Sequence, residues 1–393
     1  MRTSVLFIFL LSCVCSCWAE EDPWGVYGEV CYVGQASQYD PTLAAQVPKF
    51  VINLDVAPGE RWRQVAEVYE TRVLAALHTV RAVLDFLVPG IYESLVQICE
   101  KSINNVAEPY RSEITGFARI SGVQMGEIAL LNMFYEIAKG CTSIVAQTPQ
   151  GKIYHARNQD FGTGFIWNMT QHTWGQTIAL KDLVINVDYV KDGKLLYKGV
   201  TFAGHMGVLT GLRPHGFTLS TNARFGNTRH NMLDFFVRGI TGREWILYMD
   251  RDVLANYTNF KDAVNFLETY PMLASGYFIV GGKLPGEGAI VTRGPNGTDH
   301  VQYLEPNKKD GWYLLQTNYD WDKKEIYLDS RLGPGNDCMH RLGQSNVGLS
   351  GLYQVLSSKP NLNKATVYTS VMQVDDVVME SFIRHCDDPC WFV

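Results

Sequence analysis

Hydrophobic positions along the chain change their spacing at residue 141. Before that point apolar residues recur every three or four positions. Val65, Val68, Val73, Leu77, Val80, Leu84 and Leu87 mark one face of a helix over 60–87, which Pro89-Gly90 ends. The same spacing predicts a second helix over 91–106, a third from Ser112, and a fourth over 127–138 that stops at Gly140. Residues 20–58 read as irregular, with one strand over 50–54 closed by Pro58.

After residue 141 the period drops to two. Strands are predicted over 142–146, 152–157, 183–190 and 194–202, the last pair flanking the hairpin signal Lys191-Asp192-Gly193. More follow over 207–212, 217–221, 277–280, 289–292, 300–304, 312–317 and 365–373, with helices over 243–254, 261–269 and 348–356. Many antiparallel strands behind a helical block predict stacked sheets covered by helices, an α+β architecture. No repeat or low-complexity tract interrupts the pattern.

Composition adds an address. A positive start at Met1-Arg2, an apolar run over 5–14 and the small residue Ala19 predict a signal peptide over 1–19. Three sequons, at Asn168, Asn256 and Asn296, agree with a secretory route. Residues 20–140 carry 9 Lys and Arg against 16 Asp and Glu, whereas 141–393 carry 24 of each. There is no basic footprint for nucleic acid. Protonating all nine His in an acidic compartment would carry the leaderless chain from −7 to +2, a change that suits contact with anionic lipid.

Outside the leader stand Cys31, Cys99, Cys141, Cys338, Cys386 and Cys390. An oxidising compartment favours disulfides. The spacing of Cys386 and Cys390 suggests a small terminal loop, although such a pair also serves metal sites; no His-rich set surrounds it. Cys99 falls on an apolar helical face as a core thiol.

Cys141 is different. It follows a glycine, opens a β-branched run, and is trailed by Arg157 and Asp160 at the end of the next strand. A turn between the two strands returns both residues beside the thiol. A cation there favours the thiolate, and a carboxylate can hold an ammonium. On residue types alone, a buried structural cysteine and a structural Arg–Asp pair account for the same pattern.

Cys141-Thr142-Ser143-Ile144-Val145 and Arg157-Asn158-Gln159-Asp160-Phe161 resemble the start of the catalytic chain of the acid ceramidases and the N-acylethanolamine-hydrolysing acid amidases. These are N-terminal-nucleophile hydrolases of the choloylglycine hydrolase type. The likeness includes Ile52-Asn53-Leu54-Asp55, Gly126-Glu127-Ile128, Phe134-Tyr135-Glu136, Thr201-Phe202-Ala203-Gly204 and Cys386-Asp387-Asp388-Pro389-Cys390. It implies an αββα four-layer sandwich behind a helical α-subunit over 20–140. Cleavage between Gly140 and Cys141 would release a catalytic β-subunit over 141–393. It also implies a Cys31–Cys338 bridge.

A cleaved chain would carry a thiol and an α-amine on Cys141, and the amine can serve as base for its own side chain. The resemblance further implies Asn318, in Thr317-Asn318-Tyr319-Asp320, as oxyanion donor and Arg331 lining the site. It implies a lysosomal amidase that splits ceramide into a sphingoid base and a fatty acid. No metal or organic cofactor is implied. The partners implied are the ceramide substrate, an anionic lipid membrane and a saposin-type activator. N-acylethanolamines are the alternative substrate, and an inactive lipid-binding relative is the alternative role. Cys141 lacks the signature that surrounds the nucleophile of papain-like proteases. One departure stands out: Ala223 occupies a position, between Asn222 and Arg224, where the family usually has Glu. Phe161, Phe165, Trp167 and Trp174 are candidates for an acyl-chain channel, and the apolar residues Ile91, Leu95, Val96 and Ile98 for lipid contact.

Overall fold

The computed structural model describes residues 29–134, 140–161, 167–224 and 244–392. The predicted leader over 1–19, residues 135–139 and Phe165 lie outside them.

A short helix α1 (Pro41–Ala44), capped by the Asp40 carboxylate, leads into strand β1 (Lys49–Asn53). The helical block is α2 (Arg63–Leu87), α3 (Ile91–Ser102), α4 (Tyr110–Ser121) and α5 (Met125–Phe134). Between α2 and α3 the chain turns through 119°, at a break where Gly90 takes φ 78°. No single helix among the described residues is long and apolar enough to cross a membrane. Helix α4 sits almost against the 3₁₀ turn Pro58–Glu60. A Cβ at Gly116 would lie 2.1 Å from the Gly59 carbonyl oxygen, so only glycine fits there.

The hairpin β2 (Gly140–Gln147) and β3 (Ile153–Asp160) follows, then the short pair β4 (Trp167–Asn168) and β5 (Thr173–Trp174) and helix α6 (Gly175–Lys181). Next come β6 (Val184–Lys191), β7 (Lys194–Phe202), β8 (Thr210–Arg213), β9 (Phe217–Ala223), α7 (Ile246–Asn256) and α8 (Phe260–Thr269). The chain ends with β10 (Gly276–Gly281), β11 (Gly288–Gly294), β12 (Gly297–Tyr303), β13 (Tyr313–Gln316), α9 (Leu332–Leu342), α10 (Leu349–Ser357), β14 (Thr366–Gln373) and β15 (Val378–Ile383).

The strands form an eight-stranded sheet, β1-β6-β7-β8-β9-β10-β11-β12, and a five-stranded sheet, β13-β2-β3-β14-β15, packed face to face. Helices α7 and α8 cover the outer face of the larger sheet, and α9 and α10 that of the smaller. This is the αββα sandwich. Val145, Ile153, Tyr277, Ile279, Ile290, Leu304 and Leu314 fill part of the layer between the sheets. Full burial of a Val, Ile or Leu side chain there stabilises by about 1.5–3 kcal/mol.

The segment ahead of Gly140 is knitted into this stack. Strand β1 pairs in parallel with β6 at the edge of the larger sheet. Cys31 is bonded to Cys338 of α9, and Cys386 to Cys390. Cys99 is buried, which pushes its thiol up to about 12.

Several sequence expectations need correction. Of the apolar residues proposed for lipid contact on α3, Val96 is buried and Leu95 packs against the core, Ile91 is half-buried, and Ile98 is exposed, as are Phe86, Leu87 and Val88 of the preceding corner. Phe161 is core, while Trp167 packs edge-on against Trp174 and Phe392. The predicted strand over 207–212 narrows to β8, and α1, α6, α9 and β15 were not anticipated.

Candidate active site

Register on the small sheet assembles the centre. Antiparallel pairing of β2 with β3 sets Gly140 opposite Asp160, Cys141 opposite Gln159 and Ser143 opposite Arg157. Alternation then turns Cys141 and Ser143 to one face of β2, and Arg157 and Gln159 to one face of β3. That face meets the larger sheet at β9.

Cys141 is fully buried. Its Sγ lies 2.7 Å from Arg157 Nη2 and 4.0 Å from the Thr221 carbonyl oxygen. The other guanidinium arm donates to the Leu209 carbonyl at 3.0 Å and to Thr210 Oγ1 at 3.1 Å, which fixes the plane of the group. Burial opposes the Arg157 charge, yet the Cys141 sulfur, Tyr368 and Asp160 outweigh it and hold the guanidinium above its usual range.

The backbone nitrogen of Cys141 donates to Asn318 Oδ1 at 2.8 Å, not to Asp160. Asn318 stands just past β13, which pairs with β2, so the larger sequence gap closes through one strand register. Its Nδ2 donates to the Ala223 carbonyl at 2.8 Å, and Arg331 Nη2 donates to its Oδ1 at 2.7 Å. Ala223 thus contributes a main-chain acceptor here. Arg224 is turned away to Asp320, 2.6 Å from its Nε, and Asp299.

Asp160 accepts from Arg331 Nη1 at 2.9 Å, Thr366 Oγ1 at 2.6 Å and Asn363 Nδ2 at 3.3 Å. Burial pushes its carboxyl above the ordinary range, against the pull of Arg331. Arg331 also donates to the Cys141 carbonyl at 2.9 Å and to Asp329 at 2.7 Å. Its charge is held well above the usual range: burial opposes it, and Asp329 and Asp160 outweigh that. Cys141, Arg157, Asp160, Asn318 and Arg331 therefore form one sealed cluster.

Sequence reasoning missed Thr366, Asn363, Asp329 and Glu325, which hold Asp160 and Arg331. Asp329 and Glu325 were findable as acids just ahead of Arg331; Thr366 and Asn363 carry no such signal. Among the described residues no group of His, Cys, Asp and Glu could hold a metal. Of the sequons, Asn256 and Asn296 are exposed, and Asn168 is half-buried with its Oδ1 accepting from the Thr170 and Gln171 amides.

A family model described as linear amide C–N hydrolases, choloylglycine hydrolase family, matches residues 141–292, starting at Cys141. Another, described as the beta subunit of N-acylethanolamine-hydrolyzing acid amidase, matches residues 45–101. A probable acid ceramidase of Caenorhabditis elegans is 40% identical over 371 residues, covering 92% of this chain and 91% of that one. The Homo sapiens acid ceramidase is 34% identical over 395 residues, covering 99% of this chain and 98% of its own. The solved structure of a Caenorhabditis elegans N-acylethanolamine-hydrolyzing acid amidase ortholog superposes with a TM-score of 0.52 at 31% identity, covering 62% of this chain and 100% of that one. Fold and cluster together define an amide hydrolase acting on linear C–N bonds. Within that class, the chain belongs to the acid ceramidase family.

Proposed function

We propose that the protein is a lysosomal ceramidase whose precursor cleaves itself before Cys141. The observation that carries the reading is the 2.7 Å contact between Cys141 Sγ and Arg157 in a fully buried cluster. In the first step the thiol attacks the Gly140 carbonyl carbon, the Gly140–Cys141 C–N bond breaks as the Cys141 nitrogen takes the thiol proton, and a thioester forms. Water then opens the thioester, leaving a Gly140 carboxylate and a free α-amine and thiol on Cys141.

That amine then acts as base for the thiol. The thiolate attacks the ceramide amide carbon, and the oxyanion meets Asn318 Nδ2, whose other N–H is held by Ala223. The α-ammonium protonates the departing sphingoid nitrogen, and water releases the fatty acid. Asp160, anchored by Arg331, supplies negative charge beside the new ammonium. The signal peptide, the division into 20–140 and 141–393, and sugars on Asn168, Asn256 and Asn296 belong to the same proposal. So do contact with anionic lipid at Phe86, Leu87 and Val88, all exposed, and a saposin-type activator.

The likeness to an N-acylethanolamine-hydrolysing enzyme favours a second substrate class. Turnover of a ceramide and a fatty-acid ethanolamide of equal chain length, at about pH 4.5, decides between them. Faster release of fatty acid from the ceramide is expected. Faster release from the ethanolamide reverses the substrate assignment, and release from neither removes the enzymatic reading.

A further inference from the structure

A file of buried polar side chains runs between the sheets from His155 on β3 to the turn that carries Asn318. His155 Nε2 is 2.8 Å from Ser220 Oγ, and Ser220 Oγ is 2.9 Å from Ser143 Oγ. Ser143 Oγ is 2.7 Å from Asn222 Oδ1. Asn222 Nδ2 is 2.9 Å from the Gln316 carbonyl oxygen and 3.2 Å from that of Thr317. At the far end His155 Nδ1 is 2.9 Å from Thr218 Oγ1. Each of these side chains is at most 2% exposed.

Proton accounting gives the file a direction. Two carbonyl oxygens face Asn222, so its NH₂ points to them and its oxygen to Ser143. An amide oxygen only accepts, so Ser143 commits its single proton there. The Ser143–Ser220 contact then requires the Ser220 proton. Ser220 has none left for the ring, so the hydrogen between them sits on His155 Nε2. Burial, with Arg157 nearby, lowers this imidazole to about 3 and keeps it neutral. Nδ1 therefore bears the lone pair and faces Thr218 Oγ1, whose hydroxyl lies between that lone pair and the Gly281 carbonyl oxygen, 3.1 Å away, and is shared by the two.

We infer that His155 is a positioning residue whose Nε2–H locks the Asn222 amide and, through the Gln316 and Thr317 carbonyls, the aim of Asn318 beside Cys141. The inference rests on Asn318 being the oxyanion donor. Without the ring donor, the Ser220 and Ser143 hydroxyls can reverse. Asn222 then loses the partner that holds its orientation, and the turn loosens. Such a loss weakens the transition state more than substrate binding.

The test compares His155→Gln, His155→Met and Ser220→Ala in the processed enzyme. Gln carries an N–H at the position of ring Nε2; Met fills similar space without a donor. His155→Met and Ser220→Ala should each lower kcat about tenfold or more, with KM within about twofold, as loss of one buried hydrogen-bond partner implies. The double variant should be no worse than either alone. His155→Gln should stay within about threefold of wild type. The ¹⁵N spectrum of histidine-labelled protein, assigned with His155→Gln, should show the Nε2–H tautomer. Wild-type kcat in Ser220→Ala, equal damage from Gln and Met, or a hydrogen on Nδ1 would overturn the inference. A wild-type enzyme that releases no fatty acid would instead sink the oxyanion reading, while the tautomer is still read without turnover.

Discussion

Cys141 Sγ and Arg157 Nη2 are in direct contact at 2.7 Å, and neither side chain reaches solvent. A guanidinium at that range sets a positive charge directly against the attacking sulfur, in a place that solvent does not reach. Arg157→Met should reduce kcat/KM by about a hundredfold or more, since it removes the guanidinium that contacts the sulfur. Arg157→Lys should recover part of it, as a point charge without the second arm's anchors. Alkylation of Cys141 by iodoacetamide should slow in the same order; equal alkylation rates in all three proteins would contradict the role.

Gly140 faces Asp160 across the hairpin. A Cβ built on it lies 3.2 Å from Asp160 Cβ and 3.7 Å from Asp160 Oδ2. A branched side chain there has to displace the carboxylate or the strand. Gly140→Val should therefore slow conversion of the single chain to two pieces by about tenfold or more, a barrier change of roughly 1.4 kcal/mol per decade. Gel densitometry over time measures it. Conversion at the wild-type rate would show that the scissile bond tolerates the crowding.

Glu113 on α4 and Arg251 on α7 join the two segments on either side of residue 140. The carboxylate is fully buried and takes both guanidinium arms, at 2.5 and 3.1 Å, besides Arg61 at 2.9 Å and Trp62 Nε1 at 2.8 Å. Neutralising it strands Arg251 without its counter-charge. Glu113→Gln should cost about 3–5 kcal/mol of stability by denaturant unfolding. After cleavage and reduction of Cys31–Cys338, the wild-type pieces should still coelute on gel filtration and those of Glu113→Gln should separate. Wild-type pieces that part on reduction would make the disulfide, not the buried pair, the staple.

His155 also shapes stability against pH. In the unfolded chain histidine titrates near 6.5, and burial holds the folded ring at about 3. Between those values the unfolded state binds a proton that the folded state refuses. Stability present above about pH 6.5 is therefore lost as pH falls towards 3, by roughly 2–3 kcal/mol at about pH 4.5. His155→Gln lacks this proton. Its Tm relative to wild type should rise as pH drops from about 7 to 4.5; a difference independent of pH would show that the ring is charged or exposed.

What the sequence made legible follows from where physics is local. The face of α2 and the Lys191-Asp192-Gly193 turn stood out because period and turn chemistry are written in neighbouring residues. Helix α9 was hidden because Gly333, Pro334 and Gly335 sit in its first turns. It forms because Cys338, Met339 and Leu342 bury against the small sheet and α10. Strand β15 follows β14 across a short turn, and pairing rather than composition makes it a strand. At the site, Cys141, Arg157 and Asp160 share one hairpin, so their proximity could be argued from spacing. Asn318 is 177 positions from Cys141, and only resemblance marked it. Nothing local marks His155, Ser143, Ser220 and Asn222 as one file, because they meet across two sheets.

The central claim is that Cys141 cuts the chain before itself and then works as an N-terminal nucleophile. Purified precursor, incubated at about pH 4.5 beside Cys141→Ala, should yield a fragment whose N-terminal sequence begins Cys-Thr-Ser-Ile-Val, with the variant left intact. Fatty-acid release should rise in step with that fragment. An uncut wild-type chain that hydrolyses ceramide, or the same cleavage in Cys141→Ala, would contradict the account.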